Sequence, residues 1–521
     1  MIPIGTEEFS EFRDDGFYYV DKSELISDII ANKSKVFLFT RPRRFGKTLN
    51  LSMLDCFFNL KYRDNHWFDG LKVMDDPKAV SWMNSRPVIR INMKDLFPKD
   101  YGLFVSKLHS KIQDLYGLYK YLQDSEALDD ADRDLFRKGR MLGLSTAELQ
   151  MSLLRLCNFL KAHHGIGPIV LIDEYDDPIN RAFGHDSYQD VLDFLREFYS
   201  GTLKGNTSLE FAVVTGVMQI AKESIFSGLN NLEVNNIFST ECDERFGFTA
   251  SEVRTICEDY GRPDAFETAR EWYDGYRFGD AEIYNPWSVM MFVNGFKAEA
   301  YWAGTSGNDI IGTLIADADD GTYDNLQTLG NGGTVTGKTI RPTVAMGDLL
   351  RNPQNIFSVL VMSGYLNAIP NGRGGHILSI PNREMYDVFS DVIIDQGLKV
   401  ESYSFRSFFR AAQRNDVPEM EENELSIFEP FRDWDLTNER SYRQILVAAA
   451  MCLCGNYTVS TERQAGNGRV DMLMRRNTPT VPNIVIEFKK SRSKNEQKHI
   501  EEAEDAIRQI KEKRYFRLLE N

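Results

Sequence analysis

The chain contains no long apolar run. Its hydrophobic residues, 42% of 521, are broken into short segments, none near the roughly eighteen needed to span a bilayer as a helix. Met1 to Phe12 carries acids where a secretory leader carries bases, so the expectation is a cytoplasmic protein with no membrane partner. Cysteine is sparse and scattered. Cys56, Cys157, Cys242, Cys257, Cys452 and Cys454 include one C-x-C pair, which gives neither a zinc ribbon nor a disulfide framework. The seven histidines are equally dispersed, and the adjacent His163 and His164 read as a solvated turn, so no structural zinc is expected. Positive charge is also short, with 61 Lys and Arg against 77 Asp and Glu and a net charge of −16. That balance excludes a broad surface that coats nucleic acid by neutralising phosphates. Only local basic clusters remain, at Lys489 to Lys494 and Lys511 to Arg514.

One further absence falls at the most informative place. Val36-Phe37-Leu38-Phe39-Thr40 is an apolar strand that runs through Arg41-Pro42-Arg43-Arg44-Phe45 into Gly46-Lys47-Thr48. This is a phosphate-binding P-loop with Arg41 where the pattern G-x-x-x-x-G-K-T has its first glycine. The residues expected to cradle ATP are Arg44, Phe45, Gly46, Lys47 and Thr48. Backbone N–H groups face the phosphates, Lys47 reaches the β/γ oxygens and Thr48 holds Mg²⁺. Beyond the loop Leu49, Met53, Leu54, Phe57 and Phe58 recur at helical spacing.

A second segment, Gly332 to Thr339, fits the P-loop pattern letter for letter. It follows a polar run instead of a buried strand, and it leads into the β-branched, proline-interrupted Ile340-Arg341-Pro342-Thr343-Val344 where a helix has to begin. It reads as a glycine-rich loop or hairpin.

The acidic partner of the first loop lies in Pro168-Ile169-Val170-Leu171-Ile172-Asp173-Glu174-Tyr175-Asp176. Four consecutive apolar residues predict a buried parallel strand with carboxylates at its C-terminal end, where open α/β sheets bind ligands. In this Walker B strand Asp173 is expected to hold Mg²⁺ and Glu174 to act as general base on the attacking water. A third strand, Leu209 to Val214, ends in Thr215-Gly216. Thr215 is placed to sense the γ-phosphate, as a polar residue does at this strand end in the additional-strand class of P-loop ATPases. Pro87 to Asn92 suits the strand beside the Walker B strand.

At this length more than one core is expected, on the order of two to four domains. Residues 1–245 alternate strands and helices as an ATPase core, with a helical insertion from Tyr101 to His164. Residues 246–432 form a helical lid, with Thr249 capping a helix ahead of Glu252, and a mixed connecting region. Residues 433–521 carry a second chemical motif. After a helix over 439–454, strands are expected at Tyr457–Glu462, Arg469–Met474 and Asn483–Phe488, then a helix from Asn495 to Tyr515. Alternation puts Glu487 and Lys489 on one face, where Asp471 of the neighbouring strand can meet them. Two carboxylates can chelate Mg²⁺ while a lysine orients water for phosphodiester attack.

Several further segments make the chain recognisable: Ile2-Pro3-Ile4-Gly5 with Phe9, Tyr19-Val20-Asp21-Lys22, Arg41 to Thr48, and Ser224 to Asn231. Trp272 to Tyr276, Tyr284 to Ser288, and Tyr301-Trp302 with Thr305-Ser306 complete the set. Together they resemble the bacterial AAA-ATPase-like family fused to a C-terminal PD-(D/E)XK nuclease-superfamily domain. The resemblance implies a P-loop α/β fold of the additional-strand class and a C-terminal α+β nuclease-like domain, and it makes Arg41 a family trait. In the family a further strand follows the helix that carries Gln509, whereas this chain stops at Asn521, so a truncated form or an incomplete nuclease fold is expected. Tyr442-Arg443 stands where relatives often have Tyr-His. The resulting expectation is an ATPase with ATP and Mg²⁺ as cofactors and DNA or RNA as a partner, acting as an ATP-gated nuclease in defence against foreign DNA. Two other readings stay open: a nucleotide-dependent switch whose C-terminal domain only binds nucleic acid or protein, and an ATPase whose nuclease module is a degenerate scaffold.

Overall fold

The computed structural model describes residues 5–96, 100–220, 232–302, 311, 314, 319–330, 332–344, 353–391, 402–428, 457–465, 468–476, 481–487, 489 and 495–515. Ser224 to Asn231, Ile2 to Ile4, Thr305-Ser306, the helix expected over 439–454, Tyr442-Arg443, Phe488 and Lys490 to Lys494 lie outside them. The chain forms two compact units, one of Met1–Gly304 with Thr339–Ile369, the other of Thr305–Lys338 with Pro370–Asn521. Among the described residues no helix is long and apolar enough to cross a membrane.

The first unit is built on five parallel strands, β1 (Val36–Thr40), β2 (Val88–Asn92), β3 (Ile169–Asp173), β4 (Ala212–Gly216) and β6 (Leu232–Asn235), in the order β2-β3-β4-β1-β6. β4 lies between β1, which leads into Arg41 to Thr48, and β3, which ends at Asp173, and this order defines the additional-strand class. β1, β3 and β4 are buried along their whole length, as strands covered on both faces must be. The helix Lys47–Phe58 follows the loop, and its Met53, Leu54, Phe57 and Phe58 are fully packed. β5 (Gln219–Ile220) leaves the sheet and pairs in parallel with Thr343–Val344 of the same unit. The stretch between β2 and β3 is helical, with its longest helix at Tyr101–Leu118 and its last at Ser152–His164.

The segment expected to be a helical lid is helical only in part. Thr249 does cap the helix Ala250–Asp259 in a reciprocal box with Glu252. The helices Phe266–Tyr273 and Pro286–Val293 follow. Between and before them run β7 (Phe248–Thr249), β8 (Tyr276–Phe278) and β9 (Ala281–Tyr284), which form an antiparallel sheet in the order β7-β9-β8. The physical reason is local. Tyr276 and Phe278 are buried and Arg277 is exposed, a period of two, and Gly279 takes a φ of 51° at the turn, where a Cβ would come within 2.5 Å of the Ser239 carbonyl oxygen. Val253, Ile256, Ala269, Tyr273, Tyr284 and Phe292 make the small core of this region, and Tyr18 and Val20 pack against it. Lys22 joins it by an ion pair with Glu252 at 2.6 Å.

In the second unit, Val335–Lys338 is a strand paired antiparallel with His376–Ser379, bulged at Gly337. The perfect pattern match at Gly332 to Thr339 is therefore part of a sheet, and no helix follows it through Val344. Farther on, Tyr457–Ala465, Gly468–Arg476 and Ile484–Ile486 form an antiparallel sheet, followed by the helix Glu496–Lys513.

Candidate active sites

Four strands of the parallel sheet end on a polar residue, Thr40, Asn92, Asp173 and Asn235, and β4 carries Thr215 one position before its last residue, Gly216. Four of the side chains around this edge converge. The hydroxyl of Thr48, in the first turn of the P-loop helix, donates to Asp173 Oδ2 at 2.8 Å, and that of Thr215 donates to Asp173 Oδ1 at 2.5 Å. The Asn92 amide donates to Asp173 Oδ2 at 3.1 Å. Asp173 is 1% exposed. Burial raises its carboxyl above the ordinary aspartate range, the Glu174 charge adds to this, and the two threonine hydroxyls and Lys47 oppose it. Such a carboxylate, ringed by hydroxyls and beside an ammonium, fits a hard cation.

Gly46 caps the P-loop helix at a φ of 78° and Arg44 sits at 69°, the left-handed geometry of a loop that wraps an anion. The first N–H groups of the helix that Gly46 caps have no acceptor within it. The buried Lys47 folds across the loop, where its Nζ donates to the carbonyls of Arg41 at 3.1 Å and Pro42 at 2.9 Å. Burial lowers its pKa, against the pull of Glu174, Asp173 and Asp176. Glu174 is half-buried and has a φ of 51°, a conformation that strains a residue with a Cβ. Asp176 is fully buried, and its carboxyl is pushed up to about 6, chiefly by burial and then by the Glu174 charge.

Asp471 and Glu487 form a second cluster. Met472 pairs with Ile486, so one step further along the antiparallel register Asp471 stands opposite Glu487. Cross-strand partners share a face. The Glu487 side chain is 4% exposed and lies 3.1 Å from the Lys489 ammonium, which also donates to Gln509 Oε1 at 2.8 Å. The Gln509 amide donates to Glu487 Oε1 and to the Tyr515 hydroxyl. Glu487 Oε2 is buried without a hydrogen-bond partner. Burial raises the Glu487 carboxyl, Lys489 lowers it and the Asp471 charge raises it again. An orphaned buried carboxylate oxygen beside a second carboxylate fits a divalent cation.

Residues 3–226 match the model of a predicted AAA-ATPase family, and residues 437–521 match that of the PD-(D/E)XK nuclease superfamily. The chain thus carries a predicted AAA-ATPase domain near its N-terminus and a PD-(D/E)XK nuclease-superfamily domain near its C-terminus. It is 28% identical over 309 residues to an uncharacterized protein in the vnfD 5' region of Azotobacter chroococcum mcd 1, which covers 58% of this chain and 53% of that protein. The chain thus spans about half the length of this curated relative. Among solved structures, a Walker-type ATPase of Pyrococcus abyssi aligns with a TM-score of 0.36 and 16% identity, over 72% of this chain and 97% of that one.

In the ATPase domain the expected residues separate by environment. Lys47, Thr48, Asp173 and Thr215 lie together, with Glu174 next to them in the chain. The Phe45 ring is fully buried, 5.0 Å from both Tyr276 and Phe278 by ring centroids, so only its backbone can face a phosphate. The Arg44 guanidinium stacks over Trp287 at 4.6 Å. Arg41, in the place of the pattern's first glycine, turns away from the residues expected to cradle ATP. It is 0% exposed and donates to the carbonyls of Thr40 and Asn235, both at 3.0 Å, and to Asn235 Oδ1 at 2.5 Å. The Phe246 and Phe278 rings flank it, each at 5.1 Å. Its Nε is buried without a hydrogen-bond partner, so the two terminal nitrogens and the ring faces carry the compensation for burying this charge.

Sequence reasoning linked neither Asn92 to Asp173 nor Trp287 to Arg44, and it read Trp287 as a core aromatic in preference to one that stacks on a base. Asn92 carried a usable signal, because it ends an apolar strand in register with Asp173. Trp287 carried none, since its partner lies 243 positions away in the chain.

Proposed function

We propose that the ATPase domain binds and hydrolyses ATP at the C-terminal edge of its parallel sheet, and that this cycle controls a nuclease centred on Asp471, Glu487 and Lys489. The observation that supports the first half is the convergence of Thr48, Thr215 and Asn92 on Asp173 beside a buried Lys47. Gly46, Lys47 and the backbone of Arg44 and Phe45 cradle the phosphates. Thr48 and Asp173 would hold Mg²⁺, which supplies charge neutralisation at the β- and γ-phosphates when bound. Glu174 takes the proton of the attacking water, and Thr215 donates to the γ-phosphate. In the C-terminal domain Asp471 and Glu487 would hold a second divalent ion, while the Lys489 ammonium orients the hydrolytic water. We assign the ATPase core to 1–245, the lid and connecting region to 246–432 and the nuclease-like domain to 433–521. The biological role that suits this pairing is ATP-gated cleavage of foreign DNA in defence.

The test is a nuclease assay on single- and double-stranded DNA and RNA, with and without ATP and Mg²⁺, run beside ATP binding by Lys47→Ala and Lys338→Ala. Lys47→Ala should lose ATP binding and nucleotide-dependent cleavage, and Lys338→Ala should keep both. ATP turnover with no cleavage under any metal would favour a nucleotide switch that carries a degenerate nuclease fold.

A further inference from the structure

The residues just after the Walker B carboxylates hold the turn that follows β4. The Tyr175 hydroxyl donates to the Met218 carbonyl at 2.8 Å and accepts from the Ile220 N–H at 3.0 Å. The Asp176 carboxylate accepts from the N–H groups of Val217, at 3.1 Å, and Met218, at 2.8 Å, and from the Asn180 amide at 3.0 Å. The Tyr175 N–H donates to the Thr215 carbonyl at 3.0 Å, and the Tyr199 hydroxyl holds the Tyr175 carbonyl at 2.9 Å. The fit leaves no slack at Gly216, where a Cβ would lie 2.6 Å from both Asp176 Oδ1 and the Tyr175 ring. Tyr175 and Asp176 are both fully buried.

A strand end in an apolar core needs no carboxylate or phenol to pack, and burying either is costly unless every bond is made. A satisfied buried network of this kind fixes one arrangement of the segments it joins. The segments joined here are the two that carry the chemistry. Glu174 is bonded in the chain to Tyr175, and Thr215 begins the clamped turn.

We propose that Tyr175 and Asp176 are positioning residues for ATP hydrolysis, holding the 215–220 turn against the Walker B strand so that Thr215 and Glu174 keep a fixed separation about the γ-phosphate. The proposal rests on the ATPase reading above. It also separates two functions in space. The phosphate cradle meets the turn at its start, where the Arg41 N–H donates to the Gly216 carbonyl at 3.1 Å, whereas the clamp also holds Val217, Met218 and Ile220 beyond it, so loosening the clamp displaces sensor and base more than the cradle. A displacement on the order of 1 Å at a reacting centre costs up to about 100-fold in rate.

The experiment compares the full-length wild type with Tyr175→Phe, Asp176→Asn and Lys47→Ala, by steady-state ATP hydrolysis, equilibrium ATP binding and amide hydrogen exchange over 216–220. Tyr175→Phe removes one hydroxyl and is the mildest change. It should lower kcat by about 10- to 100-fold with KM and Kd for ATP within about twofold of wild type, and exchange at Met218 and Ile220 should rise. Asp176→Asn should show the same split more strongly. Faster exchange at 216–220 with kcat unchanged would overturn the proposal, as would a parallel fall in kcat, ATP affinity and thermal stability, which is what a merely structural pair would give. A wild type without Lys47-dependent turnover would sink the ATPase reading and the clamp's role together, whereas normal Lys47-dependent turnover with an indifferent Tyr175→Phe would sink the clamp alone.

Discussion

Arg41→Gly would restore the textual P-loop pattern G-x-x-x-x-G-K-T, yet the structure predicts a weaker protein. The substitution removes the donors to the Thr40 carbonyl, to Asn235 O and Oδ1 and to the Cys242 carbonyl, and it empties the slot between Phe246 and Phe278. Three buried methylenes are worth about 0.8 kcal/mol each. Leaving the Asn235 oxygens short of a donor costs about 2 kcal/mol, and glycine adds backbone freedom worth roughly 0.5–1 kcal/mol. The loss of about 5 kcal/mol is offset by release of the buried charge. Burial lowers the Arg41 pKa to about 10, and the weakly hydrated guanidinium returns about 2 kcal/mol on removal. The net expectation is about 3 kcal/mol, or a fall in Tm of roughly 6–12 °C for a domain of this size. Differential scanning calorimetry on the full chain measures it, with ATP binding followed in parallel. Because Lys47 bonds to the Arg41 carbonyl, ATP affinity should fall rather than rise. An Arg41→Gly protein with unchanged Tm and tighter ATP binding would refute the argument that this arginine is a built-in strut.

Glu174→Gln keeps size and hydrogen bonding but removes basicity, so it should bind ATP and turn it over about 100- to 10,000-fold more slowly, measured by phosphate release. Asp173→Ala should weaken Mg²⁺-dependent ATP binding, read by titration with and without the metal, since it removes the carboxylate that Thr48, Thr215 and Asn92 surround. In the nuclease-like domain Asp471→Ala, Glu487→Ala and Lys489→Ala should each abolish metal-dependent cleavage while ATP hydrolysis persists, because the two clusters belong to different units; cleavage retained in Glu487→Ala would remove it from the mechanism. Acidity should act in an unusual direction at Asp274, whose carboxyl is raised to about 6 by burial first and by the Glu282 charge. Between about pH 4 and 6 the folded protein holds a proton there that the unfolded chain has released, so this group's contribution to stability falls as pH rises through the window. Wild type should therefore gain Tm relative to Asp274→Asn on acidification from about pH 7 to about pH 5, and an equal pH response of the two would refute the assignment.

How much was legible in the sequence follows the range of the interactions involved. β1, the loop, its helix and β3 were readable because an all-apolar run, a glycine at a left-handed turn and a helical period are consequences of neighbouring residues. The same local logic set Arg41 to Thr48, where a strand runs through a loop into a helix, apart from the perfect letter match at Gly332 to Thr339, which contains the strand Val335–Lys338. It also put Glu487 and Lys489 on one face, and the antiparallel register brought Asp471 opposite. The hairpin Tyr276 to Tyr284 was legible as well, through its period of two and Gly279, but it lay inside a stretch whose helical capping box dominated the reading.

Tertiary structure alone decided the rest. The order β2-β3-β4-β1-β6 brings Asn92, Asp173 and Thr215 side by side from positions far apart in the chain, and only after that packing do Thr48, Thr215 and Asn92 share one carboxylate. Arg41 shows the limit most plainly. Next to Pro42 and two further basic residues its charge is legible, but local sequence records charge and not direction. Its direction was set by carbonyls and rings contributed by residues 235 to 278, which exist as a binding site for a guanidinium only in the folded unit. Sequence thus determined which local segments could build a phosphate site, and long-range packing determined which of its charged side chains face the substrate and which brace the fold, since burying a charge depends on partners the local chain does not contain.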